Sequence, residues 1–162
     1  MEARPASASR TEMVQVVLPN DANPLGYILG GTVMHLVDIA GAIVSYRHTR
    51  RRVVTAAVDG LQFLHPIKVG DLIVLQAEVT ATFGTSLEVQ VRVLSEEALT
   101  GVRKSTSQAY LTFVAIDEHG RPADVVPLVI ETAEDHRRVE AAHQRRQARL
   151  EARRLMREHE EQ

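Results

Sequence analysis

The stretch Asp21-Ala-Asn-Pro-Leu-Gly-Tyr-Ile-Leu-Gly-Gly-Thr-Val-Met-His-Leu-Val-Asp38 sets an amide, Asn23, and two glycines, Gly30 and Gly31, ahead of an apolar run. That run carries one carboxylate, Asp38, among greasy side chains. Glycines at a helix start let backbone N–H groups approach a ligand closely. A lone Asp inside an apolar helix costs free energy unless something satisfies or uses it. The pattern points to a site where a carbonyl oxygen is polarised and a carboxylate acts beside it. Taken singly, each part has a plainer reading: Asp38 as a buried carboxylate bonded to backbone, Asn23 as a turn residue, the glycine pair as a tight turn.

Tyr27 to Tyr46 has the length of a bilayer span and few polar side chains. His35 and Asp38 near its centre oppose that reading, since a central Asp costs about 2.5–3.5 kcal/mol on insertion. Gly30, Gly31 and Gly41 weaken it further. The segment therefore reads as a helix buried on all sides within a soluble domain, which calls for a sheet wrapped around it. His35 precedes Asp38 by three positions and shares its helix face. No Gly-x-Ser-x-Gly elbow is present to build a triad, so His35 reads as a packed or hydrogen-bonded core histidine.

The remaining chain supplies the sheet. Residues 12–18 read as a short strand, followed by loop chemistry over Pro19 to Pro24. After the helix and Arg47 to Arg52 comes the apolar run Val53-Val-Thr-Ala-Ala-Val58. His65-Pro66 and Gly70-Asp71 punctuate the next connection. Residues 72–83 are β-branched and apolar, and Gly84 marks a hairpin. Leu87, Val89, Val91 and Val93 then alternate with Glu88, Gln90 and Arg92, the pattern of a half-buried strand. Residues 106–116 form another, closed by Asp117-Glu-His-Gly120. Hairpin-length connections predict an α+β fold with an antiparallel sheet.

Bulk properties exclude several classes. The 162 residues suffice for one domain with a sizeable core. A net charge of −2 offers no global basic field for nucleic acid. The absence of cysteine excludes thiolate catalysis, disulfides and cysteine-ligated metals, and a cytoplasmic setting is the natural expectation. Residues 1–11 lack an apolar h-region and read as a flexible N-terminus. Residues 131–162 hold eight arginines and eight acids with few apolar residues, the composition of a solvated helix laced with i,i+4 ion pairs. The domain proper is then 12–130.

These residues resemble a known family. Asp21-Ala-Asn23, Gly26, Gly30-Gly31, Asp38, Ala40-Gly-Ala42, Phe63-Leu-His-Pro66, Val69-Gly-Asp71, Gly84-Thr-Ser86 and Phe113-Val-Ala, in this order and spacing, resemble the hotdog-fold acyl-CoA thioesterases. The nearest likeness is to the bacterial YciA-type and the brain-type acyl-CoA hydrolases. The resemblance implies an antiparallel sheet wrapped around one long central helix, with the charged C-terminal helix appended. It implies hydrolysis of acyl-CoA to CoA and a carboxylic (fatty) acid.

By the same resemblance Asp38 is the general base or nucleophile. Asn23 orients water or contacts the carbonyl, and the backbone N–H near Gly31 stabilises the oxyanion. No metal or cofactor is required, and the coenzyme A moiety enters as part of the substrate. The family places the site at a subunit interface, with Asn23 of one chain facing Asp38 of its partner. A dimer is then the minimum unit and a trimer of dimers, a homohexamer, the expected assembly. Candidate CoA-phosphate contacts are Arg50, Arg51, Arg52, Arg103 and Lys104, with Thr85 and Ser86 at a family turn. Met34, Val37 and Phe63 are candidates for lining the acyl tunnel.

Two other functions compete. A dehydratase on the same fold needs a histidine and an acid in its own motif, which this chain lacks. A non-catalytic acyl-CoA sensor or scaffold needs neither Asn23 nor Asp38.

Overall fold

A computed structural model describes residues 1–161; Gln162, the last residue of the expected charged tail, lies outside the described residues. The chain divides into two units, residues 1–129 and the segment from Ile130 onward. In the first, Arg4–Pro5 forms β1, Thr11–Val16 β2, Gly30–Thr49 the helix α1, Arg52–Asp59 β3, Leu72–Phe83 β4, Ser86–Glu96 β5, Arg103–Ile116 β6 and Leu128–Val129 β7. Five strands make one antiparallel sheet in the order β2-β4-β5-β6-β3. The two short strands β1 and β7 pair in parallel. The sheet packs on α1 in the hotdog arrangement.

The alternation in β5 decides which face does so. Leu87, Val89, Val91 and Val93 are fully buried in the core with Val37, Ala40 and Val44 of α1. Burying one such side chain contributes roughly 1.5–3 kcal/mol. Gly84, at φ +71°, closes the two-residue β4–β5 turn, where an L side chain is strained. At Gly41 the helix runs so close to β6 that an added Cβ would lie 2.8 Å from the Phe113 ring.

Two expectations change. The helix is not buried on all sides: Gly31, Met34, His35 and Tyr46 are exposed, because β3 ends the sheet and leaves one flank of α1 uncovered. Nor is the stretch 1–11 free chain. Beyond the β1–β7 pairing, the Arg4 guanidinium donates to the carbonyls of Arg47 and His48 at the C-terminus of α1, where a cation is favoured by the helix dipole. Thr11 accepts from Arg47. His48 is fully buried beneath this strap and donates from Nε2 to the Val126 carbonyl at 2.8 Å. Its Nδ1 has no partner among the described residues. Burial holds the His48 imidazole below its ordinary pKa, against the opposing effect of the Val126 bond, and the nearby Arg4 charge pushes the same way as burial.

The second unit is the helix α2, Ala133–Glu160. Thr132 accepts from the Asp135 N–H, and the Asp135 carboxylate accepts from the Thr132 and Glu131 N–H groups. This capping box satisfies donors that a helix start otherwise leaves open. These backbone bonds hold the Asp135 carboxyl below its usual pKa. Arg138–Glu134 and Arg154–Glu158 are i,i+4 ion pairs. Among the described residues no helix is long and apolar enough to cross a membrane.

Candidate active site

Asp38 sits in the third turn of α1, half-buried, facing β3. Its Oδ1 accepts a hydrogen bond from the Thr55 hydroxyl at 2.6 Å. With Gly31, Met34, Val58, Leu61 and Leu111, the pair lines a cleft of about 360 Å³. Thr55 escaped the sequence reading, which took Val53 to Val58 as an apolar run; the lone hydroxyl in that run was the available signal. A bulge explains why Thr55 and Val58 both face α1. Thr55 pairs with Phe113 and Val58 with Leu111, with an extra residue, Ala56, between the two registers. Without the bulge, residues an odd number apart would point to opposite faces.

Gly31 is the second residue of α1. The helix begins after Leu29 with no side-chain cap, so its first N–H groups remain available as donors. A Cβ at Gly31 would meet nothing within 4 Å, which leaves the backbone open to a ligand. His35 also lines the Asp38 cleft and is exposed, so it is not the core histidine expected. Its flank of α1 is the one that β3 leaves bare. Among the described residues no hydrogen bond or ion pair joins His35 to Asp38.

Asn23 lies elsewhere. It lines a second cleft, of about 340 Å³, with Gly30, Phe63, His65 and Ser107. Its Oδ1 accepts from the N–H groups of Leu25 and Tyr27 at 3.0 and 3.1 Å. The turn role is therefore real, and it fixes the side chain. The amide nitrogen Nδ2 has no partner among the described residues and stays available as a donor. Phe63 stacks on Gly30, 3.3 Å from where a Cβ would stand, and belongs to this second cleft. Met34 and Val37 line the Asp38 cleft, so the three expected tunnel residues are split between the two.

The expected phosphate contacts are scattered. Arg50, Arg51 and Arg52 are exposed between the end of α1 and the start of β3, with Arg50 in the left-handed conformation that ends the helix and Arg52 opening the strand. Thr85 stands with Gly84 in the β4–β5 turn and Ser86 opens β5, both half-buried. Lys104 is exposed on β6. Arg103 is held by Glu96 at 2.7 Å and Glu12 at 3.4 Å, and the Glu96 bond raises its pKa further. It is thus engaged by two carboxylates rather than free for a phosphate. Among the described residues no group of three or more metal-ligating side chains stands together.

An antiparallel sheet packed on one long central helix is the hotdog fold. The Thioesterase superfamily profile matches residues 25–102. An uncharacterized acyl-CoA thioester hydrolase of Bacillus subtilis is 37% identical over 134 residues, 83% of this chain and 78% of that one. Among solved structures, an apo hexameric acyl-CoA thioesterase superposes with a TM-score of 0.88 at 39% identity, covering 94% of this chain and 97% of the other. An acyl-CoA hydrolase of Staphylococcus aureus, solved with butyryl coenzyme A, coenzyme A and coenzyme A disulfide, superposes at 0.88 with 31% identity, covering 99% of each chain. Variants of that enzyme, each with one Asp, Asn or Thr replaced by alanine, have also been solved. The chain belongs to the hotdog-fold acyl-CoA thioesterases.

Proposed function

We propose that this protein hydrolyses the thioester of acyl-CoA, with Asp38 as the carboxylate that acts on water or on the carbonyl carbon. The observation that carries the reading is the Thr55–Asp38 hydrogen bond. It occupies Oδ1 and fixes the carboxylate, and Oδ2 has no hydrogen-bond partner among the described residues. Oδ2 takes a proton from water as the water oxygen adds to the carbonyl, or adds to that carbon itself. Donation from the Gly31 N–H stabilises the oxyanion, and the Asn23 Nδ2 donor orients the water or the carbonyl. Collapse breaks the C–S bond; the electron pair stays on sulfur, which takes up a proton. On the nucleophilic route water then hydrolyses the mixed anhydride and restores the Asp38 carboxylate; by either route the products are CoA and a carboxylic acid.

Spacing supports these assignments. In the variants of the S. aureus hydrolase the Asn precedes the Asp by 15 positions and the Thr follows it by 17. Asn23, Asp38 and Thr55 stand at the same separations.

Two chains make the site. Gly31 and Asp38 are seven residues apart on one face of a helix, roughly 10.5 Å along its axis at 1.5 Å per residue. One carbonyl cannot lie within hydrogen-bond reach of both. Asn23 lines a different cleft from Asp38. A complete site therefore takes Asn23 and Gly31 from one protomer and Asp38 and Thr55 from its partner, with two equivalent sites per dimer. The hexameric relative favours three such dimers. Arg50, Arg51, Arg52, Thr85, Ser86 and Lys104 remain the proposed contacts to the CoA phosphates. We place the enzyme in the cytoplasm, in fatty acid metabolism, with no metal or cofactor needed.

The test is CoA release from an acetyl-to-palmitoyl panel, followed with a thiol-reactive dye. The chain has no cysteine, so it contributes no background. Turnover lost in Asp38→Ala supports the reading. Acyl-CoA binding with no turnover on any member of the panel overturns it in favour of a sensor.

A further inference from the structure

We infer that His35 is the acid that hands a proton to the departing CoA sulfur, working beside Asp38 in the same cleft. The inference rests on the reading that Asp38 acts on an acyl-CoA thioester, and it supplies a proton whose source that chemistry leaves open. Breaking the C–S bond puts a negative charge on sulfur. An anion released into an apolar cleft beside a carboxylate is poorly solvated and repelled. A proton delivered as the bond breaks therefore lowers the barrier. On the nucleophilic route Asp38 is itself acylated at that moment and holds no proton to give.

The cleft offers one donor for this step. Its lining is apolar apart from Asp38, Thr55, His35 and the backbone at Gly31. The Gly31 N–H is assigned to the oxyanion, and the Thr55 hydroxyl hydrogen is committed to Oδ1 of Asp38. His35 is exposed in the single chain and is the one titratable group besides Asp38 among the lining residues from α1, β3, β6 and the loop at Leu61. The two residues stand three apart on one helix face, with Cβ atoms about 5–6 Å from each other. Cα–Cβ bonds in a helix tilt toward its N-terminus, which turns Asp38 toward the turn that carries His35. With Oδ2 about 3–3.5 Å from the carbonyl carbon, the sulfur bonded to that carbon is within reach of the imidazole.

The protons balance on both routes. The imidazolium gives its proton to sulfur as the C–S electron pair moves there, and becomes neutral imidazole. On the nucleophilic route that imidazole takes a proton from the water that adds to the anhydride, and the Asp38 carboxylate is released. On the general-base route the proton that Asp38 took from water passes to His35 through solvent. Either way one thioester and one water give the CoA thiol and the carboxylic acid, and both side chains return to their starting forms.

The test compares wild type with His35→Gln and His35→Ala on two substrates: an acyl-CoA, and an aryl thioester whose thiolate is stable enough to depart without a proton. His35 is exposed, so both variants should melt like wild type. For His35→Gln, kcat on the acyl-CoA is expected to fall roughly 100-fold, the lower end for acid–base catalysis, with KM little changed. On the aryl thioester His35→Gln and wild type should turn over alike. Added imidazole should restore CoA release to His35→Ala, and an equal concentration of salt should not. Wild-type kcat in His35→Gln, an equal loss on both thioesters, or a His35→Ala enzyme that imidazole fails to revive overturns the inference. Where wild type does not accept the aryl thioester, the kcat loss and the imidazole arm decide it. Wild-type turnover with an indifferent His35 leaves the thioesterase reading standing; a wild type that releases no CoA from any acyl-CoA sinks that reading and this inference with it.

Discussion

Thr55 donates its hydroxyl hydrogen to Oδ1 of Asp38 at 2.6 Å, joining the edge strand to the central helix at the one carboxylate of that helix. Thr55→Val removes the donor at nearly constant volume. kcat is expected to fall with KM little changed, and Thr55→Ser should recover most of the loss. Asp38→Ala should lower kcat by at least roughly 100-fold, the scale of a lost general base, with the oligomer intact on a sizing column. Wild-type turnover by Asp38→Ala would sink the mechanism.

Asn23 holds a turn and, in the proposed reaction, also meets the substrate, and one substitution can separate the two. Its Oδ1 holds the turn through Leu25 and Tyr27, while Nδ2 is free to act on substrate. Asn23→Asp keeps the acceptor and loses the donor. We expect near-native thermal stability with sharply reduced turnover. Asn23→Ala loses both functions and should also cost about 1 kcal/mol in stability from the abandoned turn. Equal melting temperatures for Ala and Asp would count against the turn role.

Thr55 and Asn23 also show where the sequence was legible. The β5 alternation and the length of the apolar run gave the sheet and the helix, because burial on one face writes itself into periodicity. The extra residue Ala56 left no such mark. It reverses the facing of β3 midway, so strict alternation could not put Thr55 and Val58 on the same cleft. Nor could periodicity tell that one flank of α1 stays open, since in the sequence an exposed apolar side chain looks like one already packed. His35 was misread for the same reason. The stretch from Asp21 to Asp38 drew attention to Asn23 and Asp38 as a pattern, and resemblance supplied their expected roles; as isolated residues, an acid in a helix and an amide in a loop carry little.

Gly41 faces Phe113 so closely that Gly41→Ala places its Cβ 2.8 Å from a ring that is 1% exposed and has no room to swing. Overpacking of this kind costs about 1–3 kcal/mol, and each kcal/mol lowers Tm by roughly 2–4 °C in a chain of this size. Phe113→Leu in the Gly41→Ala background should recover part of the loss. Calorimetry of the single and double variants checks this, and additive losses would refute the contact.

His48 sets a pH dependence of stability. Burial depresses its folded-state pKa below the ordinary value of 6.5, so the fold favours the neutral ring. Above that value the contribution is complete. As pH falls below it, the unfolded chain binds a proton that the buried ring resists, and stability declines until the folded ring's own pKa is passed. His48→Gln can retain a donor for the Val126 carbonyl and does not titrate. Between about pH 7.5 and about pH 5.5, which brackets the ordinary histidine range, Tm should drop more in wild type than in His48→Gln. Parallel pH profiles would remove His48 from the account.

The pairing of Arg4–Pro5 with Leu128–Val129 ties together segments at opposite ends of the domain, and this has a kinetic consequence. Loop closure over so long a span must be met before that contact contributes anything. During synthesis β7 emerges after every strand of the main sheet, so the N-terminal segment waits through the assembly of the whole core. The carbonyls of Arg47 and His48 meanwhile lack the Arg4 cation, and the last turn of α1 should be the slowest part of the central helix to gain protection against amide exchange during refolding.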